Sequence, residues 1–285
     1  VWALDPASGV LWALPALGRG SWENVTALEA PPGQVALLLG DDYEFGQAPL
    51  YLWVGVKAEG GSFPARNGLV TGQLHVWVAD NGDRTPEQWH GTGTRREGRF
   101  VPIAVREEAA AGTRGHDSEG FLNDSTLRAK ARELGAFIFS RPEDLHTDPA
   151  NGRRAVLAST GFGLAFPKDD WGGLYVVEVE WPEPGTGDPP RGRLTLLYDS
   201  DDFGDRGIRN PDNLVWAGDG RIYVQEDRAA RKGTFGGETG REASLWALDP
   251  TAPGRPVRIA QVDRRAVPAG ATDPEADVLG KWESS

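Results

Sequence analysis

Residues 210–227 read NPDNLVWAGDGRIYVQED, and the reading of the fold turns on them. Two short apolar runs, Leu214–Ala217 and Arg221–Gln225, flank Asp219-Gly220, a dipeptide that accepts the positive φ of a tight two-stranded turn. The stretch predicts a β-hairpin introduced by Pro211-Asp212-Asn213-Leu214. A weaker copy lies at residues 141–160, RPEDLHTDPANGRRAVLAST, again with a polar turn between apolar strands. A further echo joins the two ends: Val1–Pro6 is VWALDP and Leu245–Pro250 is LWALDP, each a strand running into an Asp-Pro turn. Short runs rich in Val, Leu, Trp and Tyr recur at Val35–Leu39, Leu50–Val56, Leu74–Ala79, Ala155–Ser159, Leu174–Glu180 and Leu194–Tyr198. A single clear helix is expected from Asp124 to Leu134, with Leu127 and Leu134 on its apolar face and Gly135 as its C-cap. Recurring hairpins favour an all-β propeller with one inserted helix over a β-sandwich. Blades of roughly 40–50 residues divide the chain into about six units. Residues 1–285 read as one propeller domain. The chain starts inside a strand at Val1 and stops at Trp282-Glu283-Ser284-Ser285, which suggests that N- and C-terminal flanks are missing and the ring is incomplete.

The 285 residues include 38 glycines and 21 prolines, the turn content that repeated hairpins require. With 39% hydrophobic residues and 11 tryptophans the chain can bury a sizeable core. A net charge of −12 argues against nucleic acid and anionic lipid as partners. No apolar run approaches the ~18 residues of a membrane span. There is no cysteine, so no disulfide, thiolate metal site or cysteine nucleophile belongs to these residues. A Gly-x-Ser-x-Gly elbow and a phosphate-binding glycine-rich loop are also absent.

In a propeller the innermost strands and their incoming loops face a central channel. Glu143, in Pro142-Glu143-Asp144-Leu145, and Asp212, in Pro211-Asp212-Asn213-Leu214, hold equivalent places in their units. Carboxylates gathered on one axis repel unless a cation neutralises them, and calcium suits an oxygen-only ligand set. Residues 199–205, DSDDFGD, are dense enough in acid for a second ion but lack EF-hand spacing. His75, His90, His116 and His146 show no ligand spacing. Arg95-Arg96 and the group Arg228, Arg231 and Lys232 are possible phosphate contacts, or simply balance the acidic surface.

Taken in order, these segments resemble the PhoX family of bacterial alkaline phosphatases. Residues 17–25 (LGRGSWENV) are similar to that family's Gly-Arg-Phe-x-His-Glu stretch, and residues 39–54 (LGDDYEFGQAPLYLWV) to its Gly-Asp-Asp-Glu-Arg-Phe segment. Gly72–Asp80 and Gly98–Ile103 resemble two successive family strands. Residues 126–143 (TLRAKARELGAFIFSRPE) resemble its helix running into Arg-Pro-Glu-Trp, and residues 210–227 its Ser-Pro-Asp-Asn-Leu block. The resemblance implies a six-bladed propeller exported to the periplasm or cell exterior. It also implies a calcium cluster in the channel, joined by iron in the best-known members, which hydrolyses small phosphate monoesters. Carried over by position, it makes Glu23, Glu143 and Glu180 metal ligands, extended by Asp212, Asp227 and Glu283, with Arg228 as a substrate contact.

The chain departs from the pattern in three places. The family's early segment, which includes its cysteine ligand, would lie before Val1 and is not among these residues, which puts iron in doubt. Trp22 stands where the family has His beside the first Glu. The strand Leu174–Glu180 carries no arginine to clamp phosphate. Two other functions therefore stand beside the phosphatase. One is a non-catalytic extracellular propeller whose tryptophan-rich strands serve binding or self-assembly; the other is a calcium-dependent lactonase or phytase-like hydrolase, suggested by the 210–227 hairpin.

Overall fold

A computed structural model describes residues 1–43, 47–183, 185–228, 235–273, 282 and 284. The chain opens with a hairpin of β1 (Trp2–Asp5) and β2 (Val10–Ala13). A first four-stranded blade follows, made of β3 (Trp22–Leu28), β4 (Gln34–Asp41), β6 (Tyr51–Val56) and β7 (Gly72–Ala79), with the short β5 (Ala48–Pro49) before β6 and a helical turn α1 (Phe63–Arg66) before β7. The next strand, β8 (Thr94–Ile103), extends the outer edge of this blade. Helix α2 (Asp124–Glu133) and β9 (Ile138–Phe139), which pairs with β5, lead back to the centre.

The second blade contains β10 (Pro142–Thr147), β11 (Arg154–Ser159), β12 (Gly173–Glu180) and β13 (Arg191–Asp199). The third contains β14 (Pro211–Trp216), β15 (Ile222–Glu226), β16 (Ser244–Leu248) and β17 (Val257–Gln261). All pairings are antiparallel, and β8 hydrogen-bonds to both β7 and β13. The first two blades thus join at their outer edges into one nine-stranded sheet, whose free edges β3 and β10 lie against each other. Strand β10 also packs against β14, so the three innermost strands stand side by side.

The period-2 alternation of each strand explains how the blades stack. In β4, Ala36 and Leu38 face the core between the first and second blades, while Leu39 faces the opposite side. In β11, Ala155 and Leu157 point into the first of these cores and Val156 and Ala158 into the core shared with the third blade. On the outer side of the first blade, Tyr51, Trp53, Leu74 and Val76 pack against Leu14, Leu17, Leu127 and Ala131, so α2 caps that face. This radial, face-to-face packing of four-stranded antiparallel units is an all-β propeller architecture.

The helix begins where expected: Asn123 accepts the N–H of Thr126 at 2.9 Å, and Gly135 follows with φ of 83°. The repeated WALDP segments are also equivalent, as β1 and β16 each run into a turn in which an Asp carboxylate (Asp5, Asp249) accepts the N–H two residues on. Among the described residues there are three four-stranded blades and one two-stranded hairpin. That is fewer than the six that length alone suggests, because β8, α2 and the loops joining them lengthen the first repeat.

Candidate metal centre

Each innermost strand carries an irregularity at the same place. Pairing slips between Trp22 and Val25 in β3, between Pro142 and Leu145 in β10, and between Pro211 and Leu214 in β14. The two residues inside each β-bulge are Glu23-Asn24, Glu143-Asp144 and Asp212-Asn213. A bulge re-aims a side chain that a regular strand would direct into a blade face. In three successive blades it turns an acid toward the same space. The flanking backbone repeats as well: Asp42 N–H donates to Ser21 O at 2.9 Å, Thr160 N–H to Arg141 O at 3.0 Å and Asp227 N–H to Asn210 O at 2.9 Å. Asp42 and Asp227, each following the second strand of its blade, therefore also occupy matching positions.

The result is two carboxylate triplets that share a member. One oxygen each from Glu23, Asp42 and Glu143 lies within 4.8 Å of the others, and the same holds for Glu143, Asp212 and Asp227. Glu143 is 2% exposed and Asp227 8%, whereas Glu23 is open to solvent. Gly40 on β4 makes the close approach possible, since a Cβ there would sit 2.5 Å from Glu143 O. One guanidinium enters the group. Arg141 donates from Nε to Asp42 Oδ1 at 2.9 Å, from Nη2 to Asp42 Oδ2 at 3.2 Å and from Nη1 to Asp227 Oδ2 at 3.2 Å. Its backbone is in the left-handed region, φ 60°, which aims the side chain across the cluster and carries strain of the kind functional sites retain.

Five carboxylates around one arginine are electrostatically unbalanced. Burial pushes the Glu143 carboxyl up to about 9; the Arg141 charge opposes this, and Asp212, Asp42 and Glu23 reinforce it. Burial works against the Arg141 charge too, but hydrogen bonding to Asp42 and the charges of Glu143, Asp42 and Asp227 prevail and raise its pKa. Arg141 Nη2 approaches Glu143 Oε1 to 2.6 Å, yet out of hydrogen-bond alignment, so this buried oxygen has no hydrogen-bond partner among the described residues. An orphaned buried oxygen within two acidic triplets is the donor set that a hard cation fits. Oxygens bound to one calcium at about 2.3–2.6 Å lie no more than about 5 Å apart.

The structure brings together four of the residues singled out from sequence: Glu23, Glu143, Asp212 and Asp227. Glu180 is not among them. Ser159 at the cluster end of β11 pairs with Gly173, so Glu180 falls at the far end of β12, exposed and 3.8 Å from Arg193. An arginine shortly before Glu180 would share that far end, and Arg141 supplies the guanidinium at the cluster instead. Its signal was in the sequence, two positions ahead of Glu143 and directly before the inward strand. Asp42 was missed as well, although it lies in the 39–54 segment quoted for its family resemblance. Glu283, Arg231 and Lys232 lie outside the described residues. Arg228 follows Asp227, whose carboxylate accepts its backbone N–H; its Nε and Nη2 are buried with no hydrogen-bond partner among the described residues. The acids of residues 199–205 serve elsewhere: Asp199 accepts Gly91 N–H at 2.7 Å, Asp202 accepts Thr92 N–H at 2.8 Å, and Asp205 pairs with Arg209.

The family profile of the alkaline phosphatase PhoX matches residues 4–277. The chain belongs to the PhoX family. Among solved structures, Pseudomonas fluorescens PhoX in complex with vanadate, a transition-state analogue, is similar at 20% identity with a TM-score of 0.63, over 90% of this chain and 47% of that one. The likeness shows a shared fold, and this chain spans about half the length of that PhoX protein. No curated protein matches. No helix among the described residues is long and apolar enough to cross a membrane.

Proposed function

We propose that the chain contributes the cation-binding core of a PhoX-type phosphoesterase acting on small phosphate monoesters, with calcium as the cation. The observation that carries this reading is the pair of carboxylate triplets sharing Glu143, with Arg141 across them. Glu23, Asp42 and Glu143 would hold one ion and Glu143, Asp212 and Asp227 a second, with Glu143 common to both sets. Bound there, divalent ions polarise the phosphoryl oxygens and lower the pKa of an attacking water. Arg141 then provides what a planar fork supplies, paired N–H donors to a phosphoryl oxygen, once its carboxylate partners are committed to cations. The open side at Glu23 leaves room for substrate, while the buried side at Glu143 excludes water and strengthens these charges. Family membership adds export to the periplasm or cell exterior to the same reading. The oxygen-only donor set of these residues suits calcium, so the reading places calcium rather than iron on them.

The test is hydrolysis of a chromogenic phosphate monoester by the calcium-loaded protein, with and without chelator. Turnover abolished by chelator, and calcium affinity reduced at least tenfold by Glu143→Gln, are expected. No turnover together with unchanged calcium binding in Glu143→Gln would overturn the proposal. Calcium binding without turnover would instead favour a non-catalytic propeller that keeps the ion.

A further inference from the structure

In the first two bulges the second residues, Asn24 and Asp144, meet across the blade boundary. Asp144 uses both of its oxygens this way. Oδ1 accepts the Asn24 Nδ2 amide of the first blade and its own following N–H, that of Leu145, at 2.8 Å. Oδ2 accepts the Leu214 N–H of the third blade at 2.8 Å. A single half-buried carboxylate thereby ties all three innermost strands together, each at its bulge. Glu23 immediately precedes Asn24, Glu143 immediately precedes Asp144, and Asp212 stands two residues before Leu214. This one side chain therefore links the three bulges that carry Glu23, Glu143 and Asp212.

We propose that Asp144 is a positioning residue for the cation centre, an inter-blade staple that holds Glu23, Glu143 and Asp212 at ligand spacing. The proposal rests on reading the triplets as cation sites. The chemistry requires a carboxylate at position 144. Asparagine offers one acceptor oxygen, and its amide would oppose either the Asn24 amide or the Leu214 N–H, donor against donor. Exchanging the two residues, Asp at 24 and Asn at 144, relieves the conflict between blades and forfeits only the local Leu145 N–H contact within β10. The amide at 144 donates to the carboxylate at 24 while its oxygen accepts Leu214 N–H, and net charge is conserved.

Calcium binding by titration calorimetry is compared for the wild-type chain, Asp144→Asn, the exchange Asn24→Asp with Asp144→Asn, and Thr26→Val. Thr26 Oγ1 lies 2.9 Å from Thr147 Oγ1, linking the same two strands farther from the acids, so Thr26→Val reports a purely structural loss. Asp144→Asn should weaken calcium binding at least tenfold and the exchange should restore it to within threefold. Thr26→Val should lower the melting temperature with affinity unchanged. Wild-type affinity in Asp144→Asn, or an exchange no tighter than that single variant, overturns the proposal. Should Asp144→Asn fail to fold, the exchange decides: folding and binding like wild type supports the staple, and anything less overturns it. If the wild-type chain binds no calcium, the metal reading falls, and the staple is judged by crystal structures. Triplet oxygens spread beyond 4.8 Å in Asp144→Asn support it, and an unmoved cluster overturns it.

Discussion

Single residues carry the chemistry here, and Glu143 carries the most. Its carboxyl, held up to about 9 by burial, keeps its proton at neutral pH until a cation arrives. Cation binding must therefore release a proton below pH 9, and affinity must rise as pH approaches that value. Calorimetry at pH 7.5 in two buffers of different ionisation enthalpy should show close to one proton released per Glu143 engaged, and none in Glu143→Gln. Gly40 makes a second prediction. A Cβ there meets the backbone of Glu143 and Pro142, which cannot yield as a flexible side chain would. Gly40→Ala should cost about 1–3 kcal/mol of overpacking and weaken calcium binding by displacing β10. Stability and affinity measured on one sample check both effects.

At the scale of elements, buried ion pairs fix the strands that deliver these acids. Helix α2 docks through Arg128, 2% exposed, which donates from Nε and Nη2 to the two oxygens of Asp41 at 2.7 Å each. Asp41 directly precedes Asp42, so the helix holds the end of β4 at the cluster. Arg128→Ala strands Asp41 as an unpaired buried charge and should cost about 3–5 kcal/mol, read as a lowered denaturation midpoint. In the third blade Glu226 and Arg209 form the matching pair before Asp227, with Arg209 Nη2 2.9 Å from Glu226 Oε2. The loop entering β14 carries another signature. Burial raises the Asp201 carboxyl to about 7, the Trp171 N–H opposes this, and Asp199 adds to it. A carboxyl bound more tightly by its proton when folded stabilises below its unfolded pKa of ~3.8, and that stability is lost as pH rises to about 7. Asp201→Asn lacks this dependence. Between pH 4 and pH 8 its melting temperature should gain on wild type by on the order of 5 °C.

For the whole molecule, a cation held as proposed would be a cross-brace between blades. The first triplet draws on the first two blades and the second on the last two, so ions at both sites link all three innermost strands. Calcium at a hundredfold excess over its Kd should add about 2.7 kcal/mol per site, visible as a melting temperature that rises with calcium and falls back with chelator. A melting temperature indifferent to both would argue against a structural cation.

Much of this architecture was legible in the residues. Asp219-Gly220 between two apolar runs specifies a hairpin through φ requirements and side-chain alternation, both properties of neighbouring residues. The Gly135 C-cap and the Asp5 and Asp249 turns are likewise local. The equivalence of Glu143 and Asp212 was readable for the same reason, because both follow Pro at the start of a repeated unit. What the residues alone did not decide was which acids meet. Glu180 and Asp42 are alike as letters in a strand, yet the register of β11 with β12 sends one to the far end, and the end of β4 brings the other in. Arg141 joins the cluster because its backbone is left-handed, and Asp144 reaches two other blades because bulges align across sheets. Strand and turn formation depend on nearest neighbours and are written locally. An acid cluster assembled from three blades depends on inter-strand register and face-to-face packing, which only the folded chain determines.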